Sequence, residues 1–340
     1  STVSQSNDIL KRKSDHIDLV LQIAERKDNS VNPFDQIRLT HNALPECHLE
    51  GMSLATEFLG KQLKLPFLIS SMTGGPLRAE RINAHLAEAA QELGIALGVG
   101  SQRVALLDRG ACGLTSEVRT IAPDIPIYAN LGAAQLRDDF STSEVQRAVD
   151  MIEADALIIH LNTLQEAIQD SGDIDWTGIE LAIEHICRNV PVPVIVKEVG
   201  MGLSAPVAVR LVQAGVSAID VAGSGGTNFV TVEGSRSTDS EKASLAEMFR
   251  DWGLSTPDAL RQVRKELPLV PLIASGGIRH GIDAAKAIRL GADLVAQAGP
   301  VLKTACESSR AVVEHFRLME KALRLALACS HPLLDQTEVD

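Results

Sequence analysis

Short apolar runs alternate with amphipathic segments along the chain from residue 67 onward. The apolar runs have the length of buried strands and lie at 67–70, 95–99, 126–129, 156–159, 194–196, 218–221, 272–274 and 294–296. The segments between them carry apolar residues at helical spacing, and the clearest predicted helices are 79–93, 144–153, 179–188, 206–214, 257–265 and 281–290. Strands that alternate with helices pair in parallel, and eight such units close naturally into a (β/α)8 TIM barrel.

A doubly wound open sheet is the alternative α/β fold. It usually carries a G-x-G-x-x-G turn after its first strand, and residues 70–76 contain no such turn. Gly94, Gly215 and Gly291 follow predicted helices, where a left-handed residue commonly ends a helix. The barrel is therefore the predicted fold.

Two regions do not fit the repeat. Residues 1–66 precede the first barrel strand, and residues 227–256 follow the sixth strand as a loop far longer than usual. Long loops at this end of a barrel often act as lids. Residues 312–328 predict a closing helix. We therefore expect an N-terminal extension (1–66), a barrel domain (67–330) and a C-terminal tail (331–340) that is frayed at 337–340.

The composition narrows the class of protein. A net charge of −12, from 32 basic and 44 acidic residues, repels nucleic acid and acidic membranes. The five cysteines form no C-x-x-C pair, which argues against a zinc site or a disulfide framework. No apolar run approaches the ~20 residues that span a bilayer, and the polar N-terminus lacks the apolar stretch of a signal peptide. We expect a cytoplasmic protein without nucleic-acid or membrane partners.

Polar residues follow the predicted strands at the point where each strand ends. His160, Asn162, Gln165 and Glu166 follow the fourth strand. The carboxyl ends of all eight strands meet at one face of a barrel, where ligands bind. The stretch Thr163-x-x-Glu166 also fits a capping box, which would make Glu166 no more than a helix start signal.

Two glycine-rich loops give a sharper signal. Residues 223–227 (Gly-Ser-Gly-Gly-Thr) follow the sixth strand, and residues 275–279 (Ser-Gly-Gly-Ile-Arg) follow the seventh. Glycines let backbone amides approach an anion, and barrels frequently hold a phosphate near the last strands. Phosphate binding is the favoured interpretation, and two ordinary turns are the alternative.

Several motifs together resemble those of the type 2 isopentenyl-diphosphate isomerase family, over essentially the whole chain. The glycine loops are shared with many FMN barrels. The combination of Asn162-x-x-Gln165-Glu166 with an N-terminal Arg-Lys-x-x-His is highly specific. The motifs are Arg-Lys-x-x-His (12–16), Ser-Met-Thr-Gly-Gly (71–75), Gly-x-Gly-Ser-Gln-Arg (98–103), His-Leu-Asn-x-x-Gln-Glu (160–166) and the two glycine loops.

The resemblance implies an activity and its cofactors. The expected reaction is the redox-neutral interconversion of isopentenyl diphosphate and dimethylallyl diphosphate. It needs Mg2+ and FMN that has been reduced, usually by NADPH or NADH. The resemblance also implies a homo-oligomer, commonly a tetramer or octamer, in which the N-terminal extension packs near the active site of the same or a neighbouring subunit.

The resemblance also implies roles for individual residues. Glu166 is the expected Mg2+ ligand. Gln165 and His160 are the expected catalytic residues, with Gln165 positioning the alkene or relaying a proton while the flavin N5 region donates and accepts it. Lys197 is expected at the flavin N1–O2 edge. The expected substrate-binding residues are Arg12, Lys13, His16, Ser101, Arg103, His160, Asn162 and Gln165. The expected FMN-binding residues are Ser71, Met72, Thr73, Ser101, Asn130, Lys197, Thr227, Gly276, Gly277, Arg279, Ala298 and Gly299.

Two other functions stay open at the level of sequence. One is an FMN barrel that oxidises a 2-hydroxy acid, which would need a His–Arg pair beside the flavin. Arg279 and His280 are adjacent, but the sequence shows no matching substrate-binding pair, and this function gives no reason for the cluster at 12–16. The other is a non-catalytic flavin or phosphate scaffold, in which Asn162, Gln165 and Glu166 would have no purpose.

Overall fold

The structure is a computed structural model that describes residues 31–70, 77–107, 117–226 and 228–332, with residues 5 and 18 as isolated positions. The side chains of residues 77–79 are not described. Seven of the expected site residues lie outside the described residues, and their roles stay predictions. They are Arg12, Lys13, His16, Ser71, Met72, Thr73 and Thr227.

Eight parallel strands close a barrel, which confirms the predicted TIM-barrel fold. Their order around the barrel is β10-β3-β4-β5-β6-β7-β8-β9, and every neighbouring pair is parallel. A short antiparallel hairpin, β1–β2, precedes it. The strands are β1 (Thr56–Phe58), β2 (Lys61–Leu63), β3 (Phe67–Ile69), β4 (Ala96–Gly98), β5 (Ile127–Gly132), β6 (Ala156–Leu161), β7 (Val194–Glu198), β8 (Ala218–Asp220), β9 (Leu272–Ala274) and β10 (Leu294–Gln297).

Helices surround the barrel at the positions that the apolar spacing predicts. A 3-10 helix, Pro33–Gln36, precedes them. In the described residues they are α1 (Leu77–Leu93), α2 (Arg103–Leu107), α3 (Glu117–Ile121), α4 (Ala133–Leu136), α5 (Thr142–Met151), α6 (Thr163–Ile168), α7 (Ile179–Asn189), α8 (Ala205–Gln213), α9 (Phe229–Arg236), α10 (Ser240–Met248), α11 (Thr256–Glu266), α12 (Gly281–Arg289), α13 (Gly299–Glu307) and α14 (Ser309–Ala328). Within the described residues, no helix is both long and apolar enough to cross a membrane.

Three strands continue by two or three residues beyond the apolar runs that predict them, and β10 continues by one residue. In β5, β6 and β7, backbone pairing goes on through Gly132 opposite His160 and through His160 opposite Lys197. The predicted ends of these strands were therefore wrong by two or three residues. Backbone hydrogen bonds do not depend on side-chain polarity, so a strand can continue into polar residues while one neighbour still pairs with it. β5 pairs with β6 through Gly132 although β4 ends at Gly98.

Side chains alternate between the barrel interior and the surrounding helices along each strand. The inner side chains form one apolar cluster, to which the β1–β2 hairpin adds Phe58 and Leu63. The hairpin therefore packs against the inner core of the barrel. The strand residues of this cluster are Leu68, Ala96, Tyr128, Ala156, Ile158, Ile195, Ala218, Ile273, Leu294 and Ala296.

The segment after the sixth barrel strand is mostly helical. Sequence predicted a long loop at 227–256, but the segment contains α9 and α10. Asn228 and Asp239 cap them by accepting backbone N–H bonds. Val230 and Ala246 form a small separate core with Ile168 of α6. The side-chain caps and this apolar contact explain why the segment does not remain a loop.

We expect Leu63→Ala to lower the free energy of unfolding by about 2–5 kcal/mol, because the side chain is buried at 2% exposure in the inner cluster. Urea denaturation measures the change. The neighbouring Gln62→Ala is the control, since Gln62 is exposed and its loss should cost less than about 0.5 kcal/mol. Equal costs would contradict the packing of this hairpin against the barrel.

Candidate active site

The mouth of the barrel is lined by polar side chains that continue the inward alternation. Two positions beyond inner apolar residues, the strands carry Ser70, Asn130, His160, Lys197, Asp220 and Ser275. Because alternate residues of a strand share one face, these side chains belong to the inner face at the carboxyl end. The register therefore places these polar side chains at the predicted end of the barrel, and their roles in a site stay predictions.

Asn130 holds the ring of His160. Nδ1 of His160 lies 2.7 Å from Oδ1 of Asn130. Asn130 is fixed in turn by Gln102, which accepts from its backbone N–H at 2.9 Å and donates through Nε2 to the carbonyl of Ala148 at 2.7 Å. A Cβ at Gly132 would lie 2.9 Å from Nε2 of His160, so a glycine is needed beside the ring. Gln102 belongs to the sequence motif at 98–103, but no role was predicted for it.

Lys197 and Asp220 form a buried pair of opposite charges on neighbouring strands. They are register partners in β7 and β8, and both are at most 9% exposed. Burial lowers the pKa of Lys197, and the charge of Asp220 opposes that change. Burial likewise raises the pKa of Asp220, against the effects of Lys197 and of the Ser275 hydroxyl, which donates at 2.7 Å. The pair provides a cation that water does not screen.

Sequence analysis missed Asp220. The available signal was an acidic residue inside the apolar run 218–221. Its importance became visible only when the register placed it opposite Lys197.

Glu166 does not cap a helix, so the capping-box interpretation was wrong. The N-cap of α6 is Asn162, not Thr163. The Glu166 carboxylate instead accepts from the backbone N–H of Asp173 at 2.8 Å and from Nδ2 of Asn162 at 3.2 Å. A side chain at Gly172 would collide with the Glu166 carbonyl, so the chain folds back here because residue 172 is a glycine.

Glu166, Asn162 and Gln165 form one hydrogen-bonded group. Nδ2 of Asn162 also donates to Oε1 of Gln165 at 3.1 Å. Burial raises the pKa of Glu166, and the bonds from Asp173 and Asn162 and the charge of Arg103 partly oppose this. Oδ1 of Asn162 is buried and has no hydrogen-bond partner among the residues that the structure describes. Two oxygen donors, Oδ1 and the Glu166 carboxylate, are thus available to a hard cation.

Glu233 reaches this group from the segment after β8. Its Oε1 accepts from Nε2 of Gln165 at 3.3 Å, and its Oε2 forms an ion pair of 3.2 Å with Arg236. Glu233 is 2% exposed. Sequence reasoning missed it because the segment was interpreted as a loop, and nothing in the sequence links residue 233 to residue 165.

The metal-binding capacity of the site is limited. The described ranges contain no group of three or more His, Cys, Asp or Glu side chains arranged to hold a metal ion. A cation held here by Glu166 would therefore need oxygens from a ligand or from water. Mg2+ is commonly bound in this way, by one or two carboxylates and substrate phosphates.

The two glycine loops pack against each other. A Cβ at Gly226 would lie 3.0 Å from the amide nitrogen of Gly277, and Gly276 and Gly277 have positive φ, 97° and 79°. Thr256 ties the second loop by donating to the carbonyls of Ser275 and Gly276. No acceptor among the described residues takes the amides of Gly276 and Gly277. These amides, with the N-terminus of α13 at Gly299 after the next strand, suit an anion.

The side chains of Arg279 and His280 form hydrogen bonds to other residues of the chain. The guanidinium of Arg279 bonds to Asp283 at 2.8 Å and to Asp35 at 2.6 Å, and both carboxylates raise its pKa further. Nδ1 of His280 accepts the backbone N–H of Ile282 at 3.2 Å as the cap of α12. The pair is therefore poorly placed to act on a 2-hydroxy acid. The guanidinium of Arg279 therefore already has two acidic partners. The expected contact of Arg279 with FMN is not tested by these bonds and stays a prediction.

Comparison with known proteins identifies the family of the chain. The family model described as FMN-dependent dehydrogenase matches residues 11–112 and 124–330. An isopentenyl-diphosphate delta-isomerase of Xanthobacter autotrophicus is 58% identical over 93% of this chain and 92% of its own length. One from Synechocystis is 49% identical over 94% and 91%. The chain belongs to the type 2 isopentenyl-diphosphate isomerase family.

Solved structures of other enzymes share the fold. A lactate oxidase of Pediococcus acidilactici superposes with a TM-score of 0.65 at 19% identity, over 86% of this chain and 79% of that one. An (S)-mandelate dehydrogenase gives 0.62 at 20%, over 87% and 84%. At this identity the likeness concerns the barrel alone.

The isomerase relatives and the family model confirm the expectations of an enzyme and of an FMN-dependent family.

Glu198, the last residue of β7, should make stability depend on pH. Its carboxylate accepts the N–H groups of Val199 and Met201 at 2.5 and 2.6 Å, and burial raises its pKa from 4.5 to about 7. The folded chain thus holds this proton more tightly than the unfolded chain. Raising the pH from about 5 to about 8 should therefore destabilise the fold, by up to about 3 kcal/mol.

The measurement compares urea unfolding of the wild type and Glu198→Gln at several pH values. Glutamine keeps the acceptor oxygen without the charge, so the variant should lose part of the decline above pH 5. The exposed Glu88→Gln on α1 serves as control and should keep the whole decline. Parallel pH curves for the wild type and Glu198→Gln would contradict the assignment.

Proposed function

We propose that this protein interconverts isopentenyl diphosphate and dimethylallyl diphosphate with reduced FMN and Mg2+. The observation that carries the proposal is the hydrogen-bonded group of Asn162, Gln165 and Glu166. It directly follows β6 of an FMN-family barrel, whose His160 is the register partner of the buried Lys197. The isomerase relatives support the choice of substrate.

The residues present fit FMN. The amides of Gly276 and Gly277, which have no acceptor within the described ranges, would hold its phosphate together with Ala298 and Gly299 at the start of α13. Ser101, Asn130 and Lys197 would contact its ring. When bound and reduced by NADPH, FMN would supply an electron-rich ring able to exchange a proton with the substrate without net oxidation. Lys197 would stabilise negative charge on that ring, because its ammonium is desolvated by burial and the charge of Asp220 favours its protonated form.

The residues present also fit Mg2+. The Glu166 carboxylate and the buried Oδ1 of Asn162, which has no partner in the described part of the chain, are hard oxygen donors. The bond from Asp173 leaves the carboxylate oriented, which is the role that surrounding partners usually play for a metal ligand. Mg2+ would neutralise part of the diphosphate charge.

Gln165 is suited to orient the alkene. Its amide is held at both ends, since Oε1 accepts from Asn162 and Nε2 donates to Glu233. A neutral amide is a poor acid, so Gln165 would position the carbon chain or relay a proton between stronger groups.

His160 is suited to hold a diphosphate oxygen. Its Nδ1 bond to Asn130 directs the ring, and the second ring nitrogen can donate when the imidazole is protonated. Ser101 and Arg103 would add a hydroxyl and a positive charge.

The wider setting is also proposed. Arg12, Lys13 and His16, from an extension spanning residues 1–66, would complete the diphosphate site. Residues 67–330 would form the FMN domain, followed by a tail at 331–340. We expect a homo-oligomer, a tetramer or octamer, in the cytoplasm.

The test is an anaerobic assay with isopentenyl diphosphate, FMN, NADPH and Mg2+, in which dimethylallyl diphosphate is followed and FMN or Mg2+ is omitted in turn. Product that requires both, with no NADPH consumed per turnover, supports the proposal. Bound, reducible FMN without product would reject it.

We expect Glu166→Gln to raise the Mg2+ concentration needed for half-maximal rate by more than about tenfold, because the anionic ligand is lost while most of the hydrogen bonds can remain. Bound FMN should stay at the wild-type level, as absorbance would show. Asp170→Asn, an exposed carboxylate just after α6, is the control and should leave the Mg2+ response unchanged. Unaltered Mg2+ dependence in Glu166→Gln would remove the metal role.

We expect Lys197→Met to make the reduction potential of bound FMN more negative by roughly 30 mV or more, the equivalent of 1.4 kcal/mol for two electrons. The variant keeps the length of the side chain but not the charge that stabilises reduced flavin. Lys242→Met, whose Nζ donates to the carbonyl of Gln169, controls for the loss of one lysine. A wild-type potential in Lys197→Met would remove the assignment.

A further inference from the structure

Residues 32–35 of the N-terminal extension, here called the clip, lie across the two glycine loops. Nδ2 of Asn32 donates to the carbonyl of Gly277 at 2.8 Å. The ring of Pro33 packs against Gly225 so closely that an added Cβ there would lie 2.8 Å from the Pro33 ring. Two consecutive residues of the clip thus contact the two loops, one each.

The clip is itself firmly held. Oδ1 of Asn32 accepts from the backbone N–H of Phe34 at 2.9 Å and so caps the 3-10 helix. Phe34 is completely buried, and its carbonyl accepts from Lys286 of α12 at 2.9 Å. Asp35 pairs with Arg279 at 2.6 Å. Moving the clip would therefore expose an aromatic side chain and break contacts to α12.

The glycine loops need a restraint of this kind. Gly225, Gly276 and Gly277 all have positive φ, at 128°, 97° and 79°, and glycine loses more conformational entropy on ordering than any other residue. A loop that is ordered before the ligand arrives binds more tightly, because the ordering cost does not fall on binding. Thr256 restrains the second loop through its hydroxyl, and the clip contacts both loops through Asn32 and Pro33.

We propose that Asn32 and Pro33 are positioning residues for the phosphate group of the flavin, acting by holding the two glycine loops in their anion-binding shape. The inference rests on the proposed binding of FMN at these loops and adds a part of the extension to that site. The clip strengthens binding of the flavin phosphate and leaves binding of the flavin ring unchanged. Riboflavin, which is FMN without the phosphate, separates the two.

Asn32→Ser is the first variant, because serine can keep the helix cap but is too short to keep the bond to Gly277. Pro33→Ala is the second and removes the ring from Gly225. Asn189→Ala is the control, since its Nδ2 donates to the His185 carbonyl at 2.8 Å on an exposed part of α7. The full chains, stripped of flavin, are titrated with FMN and with riboflavin by flavin fluorescence, and thermal unfolding checks their folding.

We expect Asn32→Ser to raise the Kd for FMN roughly fivefold, the size of one net hydrogen bond, with the Kd for riboflavin unchanged. Pro33→Ala should act in the same direction, and Asn189→Ala should change neither value. An unchanged Kd for FMN, or equal rises for both flavins, would overturn the inference; if one clip variant does not fold, the other decides.

The wild type separates this inference from the proposed function. If it binds FMN much more tightly than riboflavin, the phosphate site stands whatever the clip variants do. If it binds both equally, the phosphate site itself is rejected, and the role of the clip with it.

Discussion

The site depends on the two-residue alternation of side chains in a closed parallel barrel. Inner apolar residues fill the barrel, and the next inner position along each strand opens at the mouth. The register places Gly132, His160 and Lys197 side by side although they are far apart in the chain. A slip of one residue would turn Leu161 and Glu198 inward instead. Barrel closure prevents such a slip, because each strand is paired on both sides.

The mouth of the barrel carries buried polar and charged groups, and the fold offsets the cost of desolvating each of them with a particular partner. Lys197 lies opposite Asp220, and Glu166 is held by the Asp173 amide and Asn162. Burial nevertheless raises the pKa values of Glu166 and Asp220, so these contacts do not fully replace water. A protein that served only as a scaffold would gain nothing from such residues, since apolar ones would pack at lower cost. Their presence is understandable where binding or chemistry requires them.

Much of this arrangement followed from local patterns, and most exceptions involve contacts with another element. All eight strands were predicted, yet β5, β6 and β7 extend into polar residues because a neighbouring strand continues beside them. The capping box at Thr163 failed because the helix begins one residue earlier, at the N-cap Asn162, and the Glu166 carboxylate accepts from the Asp173 amide instead. The segment 227–256 is mostly helical through its own caps, Asn228 and Asp239, and through its contact with Ile168. The caps are local signals that the sequence analysis missed, whereas the strand pairing and the contact with Ile168 come from other elements.

The sequence by itself determined the eight-unit alternation, the end of the barrel that carries polar residues, and the family motifs, because periodicity and burial are properties of neighbouring residues. Tertiary structure alone decided which partners the site residues have. Glu233 reaches Gln165, Asp220 faces Lys197, and Asn32 holds Gly277 only after the barrel has closed. These contacts join segments that lie far apart in sequence, and their geometry depends on the packing of all the elements between them.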